Sequence, residues 1–176
     1  MKPISIYGAT KLACEALVSS YCNSFGIRGV IFRPANVVGP RCSHGVVHDF
    51  VRKLKADPSY LEILGDGTQS KSYLHVDDCV GAIIRIYEFD GDRVEIFNVG
   101  TDDQVSVTEV AEIVVQEMGL DGVEFRFTGG VDGGRGWIGD IKNMLLETSR
   151  IKSLGWRPKL SSREAIELTV REMIEK

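Results

Sequence analysis

Several features are scarce in this chain of 176 residues, and each absence removes a class. Lys and Arg total 21 against 25 Asp and Glu, a net charge of −4. There is therefore no cationic excess of the kind that holds nucleic acid through its phosphates. No apolar run approaches the ~20 residues that a membrane-crossing helix needs. The four cysteines, Cys14, Cys22, Cys42 and Cys79, show no C-x-x-C spacing, which fits a reduced, cytoplasmic protein better than a disulfide scaffold. No internal repeat or low-complexity tract is present. Nothing before Tyr7 supplies a strand, glycine-rich turn and helix, the unit whose glycines let backbone approach a dinucleotide pyrophosphate. The one dense glycine cluster, Gly129 to Gly136, follows an apparent strand but runs into Trp137-Ile138-Gly139-Asp140 with no amphipathic helix behind it. It reads as a mobile binding loop, not a nucleotide cradle.

What is present reads as one soluble α/β unit. A 43% hydrophobic content allows a core, and 26% charged residues leave an ordinary surface. Leu12, Ala13, Ala16, Leu17 and Tyr21 recur at helical spacing over about 8–25, with Gly26 as a stop. Gly29 to Phe32 suits a buried parallel strand. A helix is expected over 46–56, ending at Pro58, then a strand from Tyr60 to Leu64 and a turn at Gly65-Asp66-Gly67. Val76 to Phe89 reads as a helix capped by Asp77 or Asp78, and Val94 to Val99 as a strand. Ser106 with Glu109 and Ser161 with Glu164 both fit the capping box. They open helices on either side of a strand from Val123 to Phe127.

The residues that point to chemistry stand near the start. Tyr7 and Lys11 are four apart at the opening of the first helix, so phenol and ammonium share a face. A tyrosine is a poor base at neutral pH, but a neighbouring cation stabilises a phenolate, and the pair can then shuttle a proton. The same spacing also arises from a half-buried tyrosine and a solvated lysine. His44 and His48, also four apart, lack an acidic or thiol partner at ligand spacing, so no metal site is expected. His75 reads as a hydrogen-bonding residue at a strand end, and Asp77 with Asp78 as a helix cap, not an acid/base dyad.

In context, Pro3-Ile4-Ser5-Ile6-Tyr7-Gly8-Ala9-Thr10-Lys11 followed by Phe32-Arg33-Pro34-Ala35-Asn36-Val37-Val38-Gly39-Pro40-Arg41 resembles the extended short-chain dehydrogenase/reductases, and within them the NAD-dependent nucleotide-sugar epimerases of the UDP-glucose 4-epimerase type. Three further segments match in order: Leu64 to Asp78, Phe97-Asn98-Val99-Gly100, and Leu154-Gly155-Trp156-Arg157-Pro158. The resemblance implies the C-terminal part of a Rossmann-type doubly wound sheet plus the smaller substrate-binding lobe. It also implies that residues 1–176 are a single C-terminal portion of a longer enzyme whose glycine-rich NAD-binding half is absent here.

Roles follow from the resemblance residue by residue. Tyr7 would move the proton of a sugar hydroxyl. Lys11 would favour the phenolate and hold the ribose hydroxyls of the nicotinamide nucleoside. Backbone at Pro34 and Ala35 would face the nicotinamide, and the Asn36 amide would touch the sugar or diphosphate, although a turn asparagine would look the same. Val47, Glu62, Ile63 and Leu64 correspond to the nucleobase pocket and equally to core and edge positions. Lys71 and Arg135 would meet the diphosphate, or be solvated charges. Here the chain departs from the family, which more often has arginine in place of Lys71, and a lysine lacks the bidentate fork.

The implied reaction is epimerisation at C4 of a UDP-hexose with NAD, in a homodimer or self-associated form built on the Tyr-Lys helix. The isolated chain would be inactive and bind NAD weakly. A nucleotide-sugar dehydratase of the same superfamily and a non-catalytic sugar-nucleotide-binding module stay open as alternatives.

Overall fold

A computed structural model describes residues 2–175. Helix α1, Ile6–Phe25, is started by Ser5, whose hydroxyl accepts the Gly8 N–H, and is ended by Gly26 in the left-handed region at φ 69°. It leads to β1, Gly29–Pro34, and β2, Asn36–Val38. Helix α2 is Val46–Ala56 and β3 is Tyr60–Ile63. Short strands β4, Ser70–Lys71, and β5, Tyr73–His75, run directly into α3, Val76–Tyr87. Strands β6, Val94–Val99, and β7, Val105–Ser106, precede α4, Val107–Glu117. Strand β8, Glu124–Phe127, strand β9, Asn143–Met144, helix α5, Ser149–Ser153, and helix α6, Ser162–Ile174, complete the chain.

Parallel pairing dominates. β1 lies beside β6 from Gly29 opposite Val94 to Pro34 opposite Val99, β2 beside β5, and β3 beside β8. β4 joins β7 antiparallel and β9 parallel. The α/β class expected from periodicity is the one observed. Two apolar clusters sit under these strands. The first packs α2, α4 and α6 around β3 through residues such as Leu54, Ile63, Val110 and Ile166. The second packs α3 and α5 onto β6 through Ile86, Phe97 and Ile151.

Both capping boxes form, with Ser106 and Glu109 bonded reciprocally, and Ser161 and Glu164 likewise. Gly65 and Gly67 make the turn at φ 93° and 80°, where a side chain would be strained. Three expectations need correction. The cap of α3 is His75, whose Nδ1 accepts the Asp77 N–H at 3.3 Å. Because β5 enters the helix with no intervening turn, Asp77 and Asp78 are already inside it. The Asp78 carboxylate turns away to accept the N–H groups of Lys159 and Leu160 at 2.9 and 3.2 Å. Strand β1 is not buried along its length, since Phe32 is 42% exposed. The glycine cluster, expected to be mobile, is braced: Asp66 N–H donates to Gly134 O and Gly129 N–H to Gly65 O, both at 3.0 Å, and Val131 and Arg135 exchange backbone hydrogen bonds.

Helix α1 stands apart energetically. Cys22 is its one buried residue among those described, while Leu17, Tyr21 and Phe25 are 59%, 58% and 69% exposed.

Candidate active site

One cleft of about 1490 Å³ runs between α1, the carboxyl ends of β1 and β2, the start of α2 and the segment around Asp140. Tyr7, Lys11, Pro34, Ala35, Asn36, Val47, Leu64 and Lys71, eight of the eleven residues singled out from sequence, line it.

The Tyr7 and Lys11 side chains meet as their spacing requires, with Lys11 Nζ 5.5 Å from the centre of the phenol ring. Tyr7 is 71% exposed, open to anything that enters the cleft. A pair the sequence reading passed over sets the rotation of this helix. Arg33, on β1, donates from Nε to Glu15 Oε1 at 2.7 Å and from Nη2 to the other carboxylate oxygen. The guanidinium holds the Glu15 carboxyl below its ordinary range, and the carboxylate holds Arg33 above its own. A charged residue directly after the apolar run Val30-Ile31-Phe32 was the available signal.

At the end of β1, Ala35 is buried and its N–H bonds Val99 O at 2.8 Å. Asn36 is not a turn residue; it opens β2 opposite Tyr73 and donates its N–H to Ser72 O. Val47 is part of the first core and also faces the cleft, and Leu64 is half exposed at its edge.

Lys71 Nζ lies 2.7 Å from the carboxylate of Asp140, a residue only 4% exposed, and 5.7 Å from the centre of the Trp137 ring. Burial, aided by the Asp140 charge, pushes the nearby Tyr73 phenol well above its ordinary value. Tyr73 and Asp140 both line the cleft and neither was singled out from sequence.

The other three residues lie elsewhere. Arg135 turns into its own loop, Nε donating to Asp140 O at 3.0 Å and Nη1 to Asp132. Ile63 is fully buried in the first core, and the exposed Glu62 on the opposite face of β3 accepts from Lys53 through its carbonyl at 3.1 Å. His44 and His48 line the cleft, but no group of three metal-ligating side chains occurs among the described residues.

The Lys142 ammonium donates to Asp66 Oδ2 at 3.0 Å and to Gly133 O at 2.6 Å, so the Asp66 carboxylate also braces the glycine-rich loop, with a pH signature. Hydrogen bonds from the Thr68 hydroxyl and N–H, then the Lys142 ammonium, lower its carboxyl from 3.8 to about 2. A depressed carboxyl contributes stability above its unfolded value and loses it as pH falls. The bracing is thus expected to weaken only between about pH 4 and pH 2. An NMR titration of Asp66 should find its midpoint near the lower end and raised by Thr68→Ala. A midpoint at the ordinary value would contradict the bracing.

The profile of the NAD dependent epimerase/dehydratase family matches residues 1–100. A putative UDP-glucose 4-epimerase of Methanocaldococcus jannaschii is 30% identical over 98% of this chain and 54% of its own length. A GDP-mannose 3,5-epimerase of Arabidopsis thaliana is 32% identical over 99% of this chain and 46% of its own. A solved UDP-galactose 4-epimerase superposes with a TM-score of 0.84 at 39% identity, over 99% of this chain and 55% of that one. The chain spans about half the length of the curated relatives it matches, and its fold is the corresponding part of the Rossmann-like epimerase fold. With the family profile covering more than half of its residues, the chain belongs to the NAD-dependent epimerase/dehydratase family.

Proposed function

We propose that this chain is the C-terminal catalytic and substrate-binding portion of an NAD-dependent 4-epimerase that interconverts UDP-glucose and UDP-galactose. The observation that carries the reading is the convergence of Tyr7, Lys11, the carboxyl end of β1 and Lys71 on one cleft. The UDP-hexose 4-epimerases among its relatives support the substrate class.

The residues present suit the nicotinamide end of NAD. An exposed phenol and ammonium and the Pro34-Ala35 segment at the carboxyl end of β1 line the same cleft. When bound, NAD would supply the hydride acceptor and donor for C4 of the sugar. Tyr7 takes the proton from the C4 hydroxyl as the carbonyl forms and gives it back after the 4-keto sugar has turned over. Lys11 supplies positive charge to the developing phenolate and a donor for ribose hydroxyls. Asn36 orients the sugar or diphosphate, and Lys71 places a point charge against the diphosphate. Val47 and Leu64 wall the nucleobase, with the β3 backbone at Glu62 and Ile63 behind them. Arg135 reaches a diphosphate only by exchanging its present bonds to Asp132 and Asp140.

The apolar face of α1 around Leu17, Tyr21 and Phe25 is uncovered by the rest of the described chain, and a second copy covering it is the partner proposed here. Sedimentation is expected to show concentration-dependent association that Leu17→Lys reduces. A clean monomer at high concentration would count against this.

The substrate assignment is tested by fusing residues 1–176 behind the portion of the solved UDP-galactose 4-epimerase that lies outside the match. The fusion is expected to interconvert UDP-galactose and UDP-glucose and to leave GDP-mannose and dTDP-glucose unchanged. Turnover of GDP-mannose, or loss of water from dTDP-glucose, without UDP-hexose epimerisation would replace this reading. The Arabidopsis relative and the dehydratases in the family's name are the reasons to include those two substrates.

A further inference from the structure

We infer that Trp137 contacts the substrate, covering the diphosphate of a bound nucleoside-diphosphate sugar from a strap formed by residues 136–140; the inference rests on the proposed site and goes beyond it. The chain has two tryptophans. Trp156 is buried in the second core at 8% exposure, whereas Trp137 is 57% exposed at the cleft. An indole more than half exposed at the edge of a cleft keeps apolar area available to a ligand.

The strap is built to present it. Asp140 N–H donates to Trp137 O at 3.1 Å, and Gly136 N–H donates to the buried Asp140 carboxylate at 3.2 Å. The same carboxylate holds Lys71 at 2.7 Å, and the Lys71 ammonium in turn stands 5.7 Å from the indole centre. Loop backbone, cation and ring are therefore fixed through one buried anion.

Its ends show which part of a ligand lies beneath. A methyl group placed on Gly136 would stand 3.4 Å from Cβ of Leu64, on the nucleobase wall, and one placed on Gly139 would stand 3.3 Å from Cβ of Ser5, the cap of the Tyr7 helix. Trp137 thus belongs to a strap that runs from Leu64 to the start of the Tyr7 helix, beside the lysine assigned to the diphosphate. An indole over that segment excludes water from the Lys71 contact and so strengthens it. It also offers an apolar face to the adjoining hexose carbons.

The test compares the 176-residue chain with Trp137→Phe and Trp137→Ala, by calorimetry and by tryptophan emission, using UDP-glucose, UDP and uridine. Trp137 is exposed, so neither variant removes core packing. UDP-glucose and UDP are expected to change the emission that wild type has and Trp137→Phe lacks, and uridine is not. Trp137→Ala should bind UDP-glucose about 5- to 10-fold more weakly, with Trp137→Phe recovering most of the loss. Unchanged affinity in Trp137→Ala together with unchanged emission would overturn the inference and leave the proposed site standing. A full emission change with uridine alone would overturn the placement over the diphosphate. No heat with any of the three would overturn both the inference and the site on which it rests.

Discussion

Tyr7→Phe in the fusion protein is expected to lower kcat for UDP-galactose by about 10²- to 10⁴-fold, the range typical for loss of a positioned proton-transfer group. KM should change far less, because the variant keeps the ring and removes only the hydroxyl that acts in the transition state. The structural basis is direct. The phenol is exposed at the cleft mouth, and the Lys11 ammonium lies 5.5 Å from its ring centre. The bidentate Arg33 to Glu15 pair holds the helix that carries both. Lys11→Met is expected to impair kcat as well, and to weaken NAD, since the same side chain is assigned to ribose hydroxyls. A Tyr7→Phe enzyme retaining more than about a tenth of wild-type kcat would take the proton-transfer role away from this residue.

Phe97→Ala should destabilise the chain by about 3–5 kcal/mol, the usual cost of emptying a buried aromatic site. Phe97 is 1% exposed on β6 and meets the Phe89 ring edge-on, with ring centres 5.9 Å apart. The guanidinium of Arg150 lies 4.7 Å from the centre of the Phe97 ring, a contact that the variant also loses. Because β6 is the partner of β1 throughout its length, this loss should loosen the floor beneath Pro34 and Ala35. In a chain of this size about 1 kcal/mol corresponds to about 2–4 °C, so a melting point about 6–20 °C lower is expected by circular dichroism. A shift under about 2 °C would mean that β6 does not carry the second core.

Most of the long elements were legible because their signals were local and redundant. The helix over Val46–Ala56 has Pro58 behind it, and the helices after Ser106 and Ser161 begin with reciprocal serine and glutamate bonds that the spacing announces. Strands β4, β5, β7 and β9 were not legible. At two or three residues each, they are too short for an alternation to repeat, and tertiary pairing alone makes them strands. The cap of α3 was misread for a related reason: an aspartate near a helix start is ordinarily the cap, but here the strand supplies the cap and Asp78 serves the distant segment at Lys159 and Leu160. The lining of the cleft was legible where its residues come from one helix or one strand end, as with Tyr7, Lys11, Pro34 and Asn36. It was not legible where it depends on chain returning from far away. Asp140 meets Lys71 across 69 positions, and no spacing rule reaches that far. Arg135, expected at the diphosphate, is instead turned into its own loop by the nearby Asp132 carboxylate and Asp140 carbonyl.

The central claim is that the chain holds a sugar-nucleotide site and the Tyr-Lys pair but not the pyrophosphate cradle of NAD. Calorimetric titration of the 176-residue polypeptide with UDP-glucose and then with NAD, beside an NAD-supplemented assay on UDP-galactose, tests it most directly. Stoichiometric heat with UDP-glucose, no tight NAD binding and no turnover is the predicted result. A stoichiometric micromolar NAD complex, or turnover by this polypeptide alone, would contradict it.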